Sequence, residues 1–511
     1  MGHIGWAPLP VEAWHGILDC TNKREKACMP TKCRTGKIEL IGTEDCLYID
    51  ISTCNIKPKT LLPVMFWIGG YAYTHNMDCL LNPCLLVEEG IVFVKCSYRL
   101  GPFGFLSIND ITAPGNCGLK DVVMALQWVQ NNISSFGGDP NNVTIFGNSS
   151  GGAIVHFMML SPMSRGLFHQ AIIQSASALN NWALAKNPSL AVMGLAKVLG
   201  INTVDKIEIV AKLKELPSGE IMEAFRIMIL GKWSNYESDV FDALFKPCIE
   251  EEFEGQPCFL SKSPHLILKS GNFNKVPLII GSNNIEAYIF KYVRKDLLKL
   301  FGAYNENVNL LVPEELSGDA NKCKDIGLQL MKFYLGDETL SEKTTDQYLQ
   351  FLSDYYFSYY VNKTVRLHSQ YASECPVYYY ILNCAGEWCV PEQLEMFNSV
   401  GHSAELSYIF EMNVPDYKGS RDSILTRKRV VKMWTNFAKY RNPTPDEKDL
   451  LLHVTWDPVE NSNKLNYLSI GSELTKGRNP FYERMQFWDD LHNEHIFLRA
   501  LVHFTATGVR Y

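Results

Sequence analysis

Five residues, Gly147-Asn148-Ser149-Ser150-Gly151, carry the spacing glycine-x-serine-x-glycine, with an apolar run at 143–146 before them and Gly152 after. A serine hydroxyl becomes a nucleophile only when it is exposed and a base can take its proton. This spacing supplies the exposure. When a strand turns sharply into a helix, side chains two places before and two after the serine collide, and glycine removes both. The serine is then held in a strained backbone conformation with its hydroxyl above the sheet. The next amide, that of Ser150, lies at a helix N-terminus, where partial positive charge can stabilise an oxyanion. A plain glycine-rich turn has the same composition, but the strand before and the helix after favour a nucleophile. The sequence alone does not choose the base and acid among 12 histidines and 55 acidic residues.

The elements that must hold this serine are visible around it. Short apolar runs, three of them ending in Gly, lie at 64–69, 91–96, 143–147, 172–175, 277–281 and 377–382. Their length and their β-branched or aromatic content predict strands buried on both faces. The stretch 119–133 places Leu119, Val122, Val123, Leu126, Val129 and Ile133 on one helical face. A second helix is expected over 153–160, opening at the double glycine. Strands alternating with helices predict an α/β fold with a mixed, mainly parallel central sheet flanked by helices. The helix-rich, charged stretch 185–350 is expected as a cap of insertions over that sheet. No repeat or linker breaks the chain, so residues 1–511 are read as one domain.

Composition narrows the function classes. Of the 511 residues, 46% are apolar and 20% charged, which excludes a disordered protein. Forty-eight basic against 55 acidic residues give a net charge of −7, with no basic run to hold a nucleic acid. No apolar stretch approaches the ~18 residues of a membrane span. Fifteen cysteines leave at least one unpaired in a monomer. Cys28/Cys33, Cys79/Cys84 and Cys384/Cys389 each enclose four residues, but no nearby pair of histidines completes a zinc set. No metal and no cofactor are expected. Sequons stand at Asn132, Asn142, Asn148 and Asn362, acceptors for sugar if the chain is secreted, save Asn148, where a tight elbow leaves no room.

Further motifs extend the pattern over the whole chain: Glu44-Asp45-Cys46-Leu47-Tyr48, Ser97-Tyr98-Arg99-Leu100-Gly101-Pro102, Gly115-Asn116-Cys117-Gly118, Trp434-Thr435-Asn436-Phe437 and Glu483-Arg484-Met485-Gln486-Phe487-Trp488. With the serine segment they resemble the type-B carboxylesterase/cholinesterase family of α/β-hydrolases, most closely the insect carboxylesterases. The resemblance implies hydrolysis of a small-molecule ester by a Ser-His-Glu triad. Ser149 falls on the nucleophile, Glu286 on the acid and His402 on the base, in the chain order this fold uses. It implies that Cys28 and Cys46 form a disulfide, that Glu44 and Arg99 form a structural ion pair, that Trp182 lines the acyl side of the pocket, and that Ser175 supports the triad. The segment between Cys28 and Cys46 has no Trp, which argues against a quaternary-ammonium substrate.

Three departures from the family pattern bear on activity. The family's oxyanion loop reads Trp-Ile-His/Tyr-Gly-Gly-Gly/Ala-Phe; here it is Trp67-Ile68-Gly69-Gly70-Tyr71-Ala72-Tyr73. Ungapped, its donors are the amides of Tyr71 and Ala72, joined by that of Ser150. Losing one such donor costs on the order of 3 kcal/mol in the barrier, so slowed turnover is compatible with a complete triad. Asn148 stands before the nucleophile where Glu is common, and Ser150 stands where Ala is, which alters the polarity beside the pocket. The resemblance also implies roughly 40 residues ahead of Trp6, so the start is read as truncated relative to the family. No signal peptide is legible at the N-terminus, and the localisation of the chain is not read from it. Two readings follow: an esterase for small to medium lipophilic esters, or a catalytically impaired protein that binds and sequesters them. An interfacial lipase has no recognisable apolar lid here.

Overall fold

The computed structural model describes residues 7–12, 15–20, 29–32, 38–76, 78–234, 243–293, 297–386, 388, 400–412 and 418–506. Nine strands form the central sheet: β1 (Ile49–Ser52), β2 (Leu62–Ile68), β3 (Val92–Cys96), β4 (Gly138–Asn148), β5 (Gln170–Gln174), β6 (Leu278–Asn283), β7 (Val377–Leu382), β8 (Asn466–Ile470) and β9 (Leu474–Arg478). Their spatial order is β9-β8-β7-β6-β5-β4-β2-β3-β1. The outermost pairs, β1 with β3 and β8 with β9, are antiparallel, and every pair between is parallel. Parallel pairing needs crossovers and buries both faces.

Alternation along the strands splits the core in two. In β2, Val64, Phe66 and Ile68 face one apolar cluster, and Met65 and Trp67 face the other. The same division recurs in β4, where Ile145 and Phe146 part company, and in β6, where Ile280 and Ile279 do. Helices α1 (Cys117–Asn132) and α2 (Ser150–Leu160) cover the first face, and α5 (Arg421–Tyr440), with Trp434 and Phe437, covers the second. Above the first face, the stretch expected as a cap contains helices such as Ser189–Val198, Ser218–Ser234, Ala320–Leu335 and α3 (Thr345–Ser353). A π-turn, Asp354–Ser358, joins α3 to α4 (Tyr359–Tyr371).

The register places the site. Ile68 lies opposite Gly147, Asn148 opposite Gln174, and Asn283 opposite Leu382. The carboxyl ends of β2, β4, β5, β6 and β7 therefore share one rim of the sheet.

One expectation changes. Arg99 forms its ion pair with Asp121, at 2.6 Å between two buried side chains, while Glu44 is exposed. Asp121 sits on α1, where it reaches both the Arg99 guanidinium and the Arg99 backbone amide, so it offers a charge-assisted fork that a surface glutamate cannot match. The expected Cys28–Cys46 bridge involves Cys28, which lies outside the described residues. Two of the four sequons, Asn148 and Asn362, are buried in the folded chain. No helix among the described residues is long and apolar enough to cross a membrane.

Candidate active site

Ser149 stands between β4 and α2 with φ 58° and ψ −131°, a backbone conformation that side-chain-bearing residues rarely adopt. The glycines flanking it are sterically required. A Cβ at Gly147 would lie 2.6 Å from the Gly151 carbonyl carbon, and one at Gly151 would lie 2.2 Å from the Ile68 oxygen. The turn is closed from below: the Ser149 amide donates to the Gln174 carbonyl at 2.9 Å, and the Ala153 amide to the Ser149 carbonyl at 2.9 Å.

His402 and Glu286 meet this serine from distant parts of the chain. His402 Nε2 lies 2.7 Å from Ser149 Oγ, and His402 Nδ1 lies 2.7 Å from Glu286 Oε2. A carboxylate accepts only, so Nδ1 carries the proton and Nε2 accepts from the serine hydroxyl. The Asn283 amide donates to Glu286 Oε1 at 2.6 Å, and the His402 amide donates to the Glu286 carbonyl at 2.9 Å. The Phe357 ring, presented by the π-turn, lies 4.5 Å from the imidazole ring.

A second buried carboxylate, Glu405, underlies these groups. Its Oε1 accepts from Asn148 Nδ2 and from Ser175 Oγ, both at 2.7 Å, and its Oε2 accepts from Asn283 Nδ2 at 2.5 Å. Burial pushes its carboxyl above the ordinary range, the negative Glu286 adds to this, and the Asn283 bond opposes it. Asn148 also accepts from Ser403 Oγ at 2.7 Å. The residue before Ser149 is thus tied to the residues around the imidazole. The only mark Glu405 leaves in the sequence is its place three residues after His402.

The loop after β2 lies against the elbow. A Cβ at Gly70 would sit 2.4 Å from the Asn148 oxygen and 3.4 Å from Ser149 Cβ. Tyr71, Ala72 and Tyr73 all take left-handed backbones, with φ of 77°, 55° and 57°. The Tyr71 carbonyl accepts from the amides of Thr74 and His75, the Ala72 carbonyl from Thr74 Oγ1, and the Tyr73 amide donates to Ser150 Oγ at 3.3 Å. Ser150 opens α2, and the first helical bond begins at Ala153, so the Ser150 amide is one of the donors a helix leaves without an internal partner.

Trp182 is buried, donates to the Tyr356 carbonyl at 2.9 Å, and packs on Phe357. It lines a cavity of about 990 Å³ together with Phe290, Leu300, Tyr348, Leu352 and Tyr356. This space lies among the cap helices, and Trp182 and Phe357 connect its wall to the imidazole. Among the described residues no three His, Cys, Asp or Glu gather in a way that could hold a metal ion.

This architecture has relatives. The model of the carboxylesterase family matches residues 6–488. The chain is 31% identical to esterase FE4 of Myzus persicae over 471 residues, covering 89% of this chain and 80% of that protein. It is 31% identical to the juvenile hormone esterase of Tribolium castaneum, covering 86% and 77%. The crystal structure of juvenile hormone esterase from Manduca sexta with OTFP covalently attached superposes with a TM-score of 0.81 at 27% identity, covering 96% of this chain and 92% of that one.

Proposed function

Since the chain belongs to the carboxylesterase family, whose members are serine hydrolases of esters, we propose that it cleaves small to medium lipophilic carboxylic esters with Ser149, His402 and Glu286. The observation that carries this reading is the pair of 2.7 Å hydrogen bonds running from Ser149 through the imidazole to Glu286. In the first half-reaction His402 Nε2 takes the Ser149 proton as Oγ attacks the ester carbonyl carbon. Glu286 holds the imidazole tautomer and stabilises the imidazolium. The carbonyl oxygen becomes an oxyanion, for which the amides of Tyr71, Ala72 and Ser150 are the donors in this reading. The tetrahedral adduct then collapses: His402 returns the proton to the departing alkoxide, and the acyl group stays on Ser149. A water, deprotonated by His402, attacks the acyl carbon and releases the acid.

The mainly apolar lining and ~990 Å³ volume of the neighbouring cavity support the preference for lipophilic esters, since sites of this kind take ligands largely by apolar contact. Trp182 forms part of that wall. Asn148 acts beside it through Ser403 and Glu405. The whole chain is read as one α/β-hydrolase unit.

The test is incubation with 4-nitrophenyl acetate and with an organophosphate, with the adduct mapped by mass spectrometry. Release of 4-nitrophenol, a label on Ser149, and loss of both in Ser149→Ala are the expected results. No turnover together with no label rules the reading out. Tight binding of an intact ester without cleavage would turn the assignment to the sequestering role.

A further inference from the structure

The altered loop after β2 has a glycine at position 69, and the space above that glycine is occupied. A Cβ built on Gly69 would stand 2.6 Å from Asp78 Oδ2 and 2.8 Å from Oδ1. Both are far inside van der Waals contact, so the carboxylate fills the volume a side chain at 69 would need. It is not free to swing away. Asp78 is only 3% exposed. The Trp67 indole N–H donates to its Oδ1 at 2.9 Å, Asn76 Nδ2 donates to its Oδ2 at 3.0 Å, and its own amide donates to Asn76 Oδ1 at 2.8 Å. Gly69 is gripped on its carbonyl as well, by the Tyr98 hydroxyl at 2.6 Å. Gly70 follows, packed on Asn148 and Ser149, and then come the three left-handed residues Tyr71, Ala72 and Tyr73.

We propose that Asp78 is a positioning residue for the oxyanion loop: its carboxylate, seated against Gly69 and fastened to Trp67 and Asn76, holds the backbone of residues 69–72 at the distance from Ser149 that the developing oxyanion requires. Non-glycine residues in left-handed conformations persist only when their surroundings over-determine them. Asp78 braces the strand end and the loop start from the side opposite the nucleophile. Burial raises its carboxyl above the ordinary range, while the Trp67 bond, the Lys95 charge and the Asn76 bond oppose the shift. A carboxyl is unfavourable to bury unless its acceptors are used, and here both oxygens are.

This inference rests on Ser149 being the nucleophile, and the experiment separates the two. Hydrolysis of a 4-nitrophenyl ester and inhibition by an aryl trifluoromethyl ketone, which adds to a serine hydroxyl and leaves an alkoxide in the oxyanion position, are measured on the full chain. Asp78→Ala is expected to lower kcat about 30-fold with KM within threefold, and to weaken the ketone by a similar factor, because displacing the loop by about 1 Å harms the tetrahedral state and not ester binding. Gly69→Ala is expected to lower kcat about 30-fold in the wild-type background and under threefold in the Asp78→Ala background, where the methyl enters vacated space. An equal penalty in both backgrounds, or an unchanged kcat in Asp78→Ala, overturns the proposal. If Asp78→Ala does not fold, Asn76→Ala replaces it: kcat falls severalfold at constant KM, and an unchanged kcat overturns the proposal. If the wild-type chain neither turns over nor labels at Ser149, the esterase reading fails. Asp78 is then read by hydrogen–deuterium exchange over residues 68–74, expected to quicken at least tenfold in Asp78→Ala, with unchanged exchange overturning the brace.

Discussion

Glu405 lies outside the Ser149–His402–Glu286 chain of hydrogen bonds, yet three donors converge on it: Asn148, Ser175 and Asn283. Asn283 is the joint, since its backbone amide goes to Glu286 and its side chain to Glu405. Removing the carboxylate leaves buried donors without acceptors, a larger loss than the bonds themselves. Glu405→Ala is expected to lower stability by about 3 kcal/mol, seen as a shifted denaturant midpoint, and to reduce kcat as His402 loses its bed. Glu405→Gln, which keeps two acceptor sites, lies between the two. Single residues of this kind are poorly legible in sequence. Ser149 announces itself through Gly147 and Gly151, because backbone clearance leaves a local mark. Glu286 and His402 were placed only through likeness to a family. Nothing near either residue dictates its role, which arises from long-range strand register.

At the scale of elements, what was legible followed burial. The six strands expected from continuous apolar runs are β2 to β7, with β4 extending back to Gly138. The edge strands β1 and β9, and β8 beside β9, carry no such run. Their residues are only partly covered, so they carry charges, Asn and Ser in place of an apolar run. Helix α2 starts at Ser150, three residues before the expected start, because the tight turn at Ser149 passes straight into helix. Gly151→Ala is expected to remove soluble protein or lower stability by more than about 3 kcal/mol, read from thermal melts, since its methyl would meet the Ile68 carbonyl of the neighbouring strand.

The far part of α2 carries another dependence. The Ala178 amide donates to His156 Nδ1 at 3.0 Å, so the His156 proton is on Nε2, which meets His368 Nε2 on α4 at 3.0 Å. Burial holds both imidazoles below their ordinary range, His368 down to about 3. The folded state therefore favours the neutral form. Above pH 6.5 this contribution is complete. Below it the unfolded chain binds protons that the folded chain refuses, and stability falls toward pH 3 by about 1.4 kcal/mol per pH unit for each histidine. Urea midpoints compared at pH 7 and pH 5.5 should show the fall, and His368→Asn should reduce its slope by one proton.

On the scale of the whole molecule, the cap places a cavity beside the imidazole. Its helices surround the ~990 Å³ cavity, and the π-turn 354–358 links that cavity to the imidazole through Tyr356 and Phe357. π-turns recur at functional sites because the extra residue re-aims the side chains after it. Here the turn is anchored by Asp354, buried beneath the Tyr334 hydroxyl at 2.7 Å and Arg484 at 3.3 Å. Leu300→Trp, which narrows the cavity, is expected to raise KM for 4-nitrophenyl decanoate about tenfold while changing that for the acetate less than threefold. The cap as a helix-rich stretch was visible in composition. The cavity was not, because a void depends on how helices distant in sequence fail to close on one another.

The proposed nucleophile, acid and base each follow a different strand of one sheet, so no piece shorter than the stretch 149–402 carries all three. In the proposed reading, ester cleavage needs the register from β4 to β7, and pairing of such far-separated segments is slow to form. During renaturation, helical ellipticity should therefore return well before ester cleavage does. A simple colour assay would then serve as a clock for the last long-range closure.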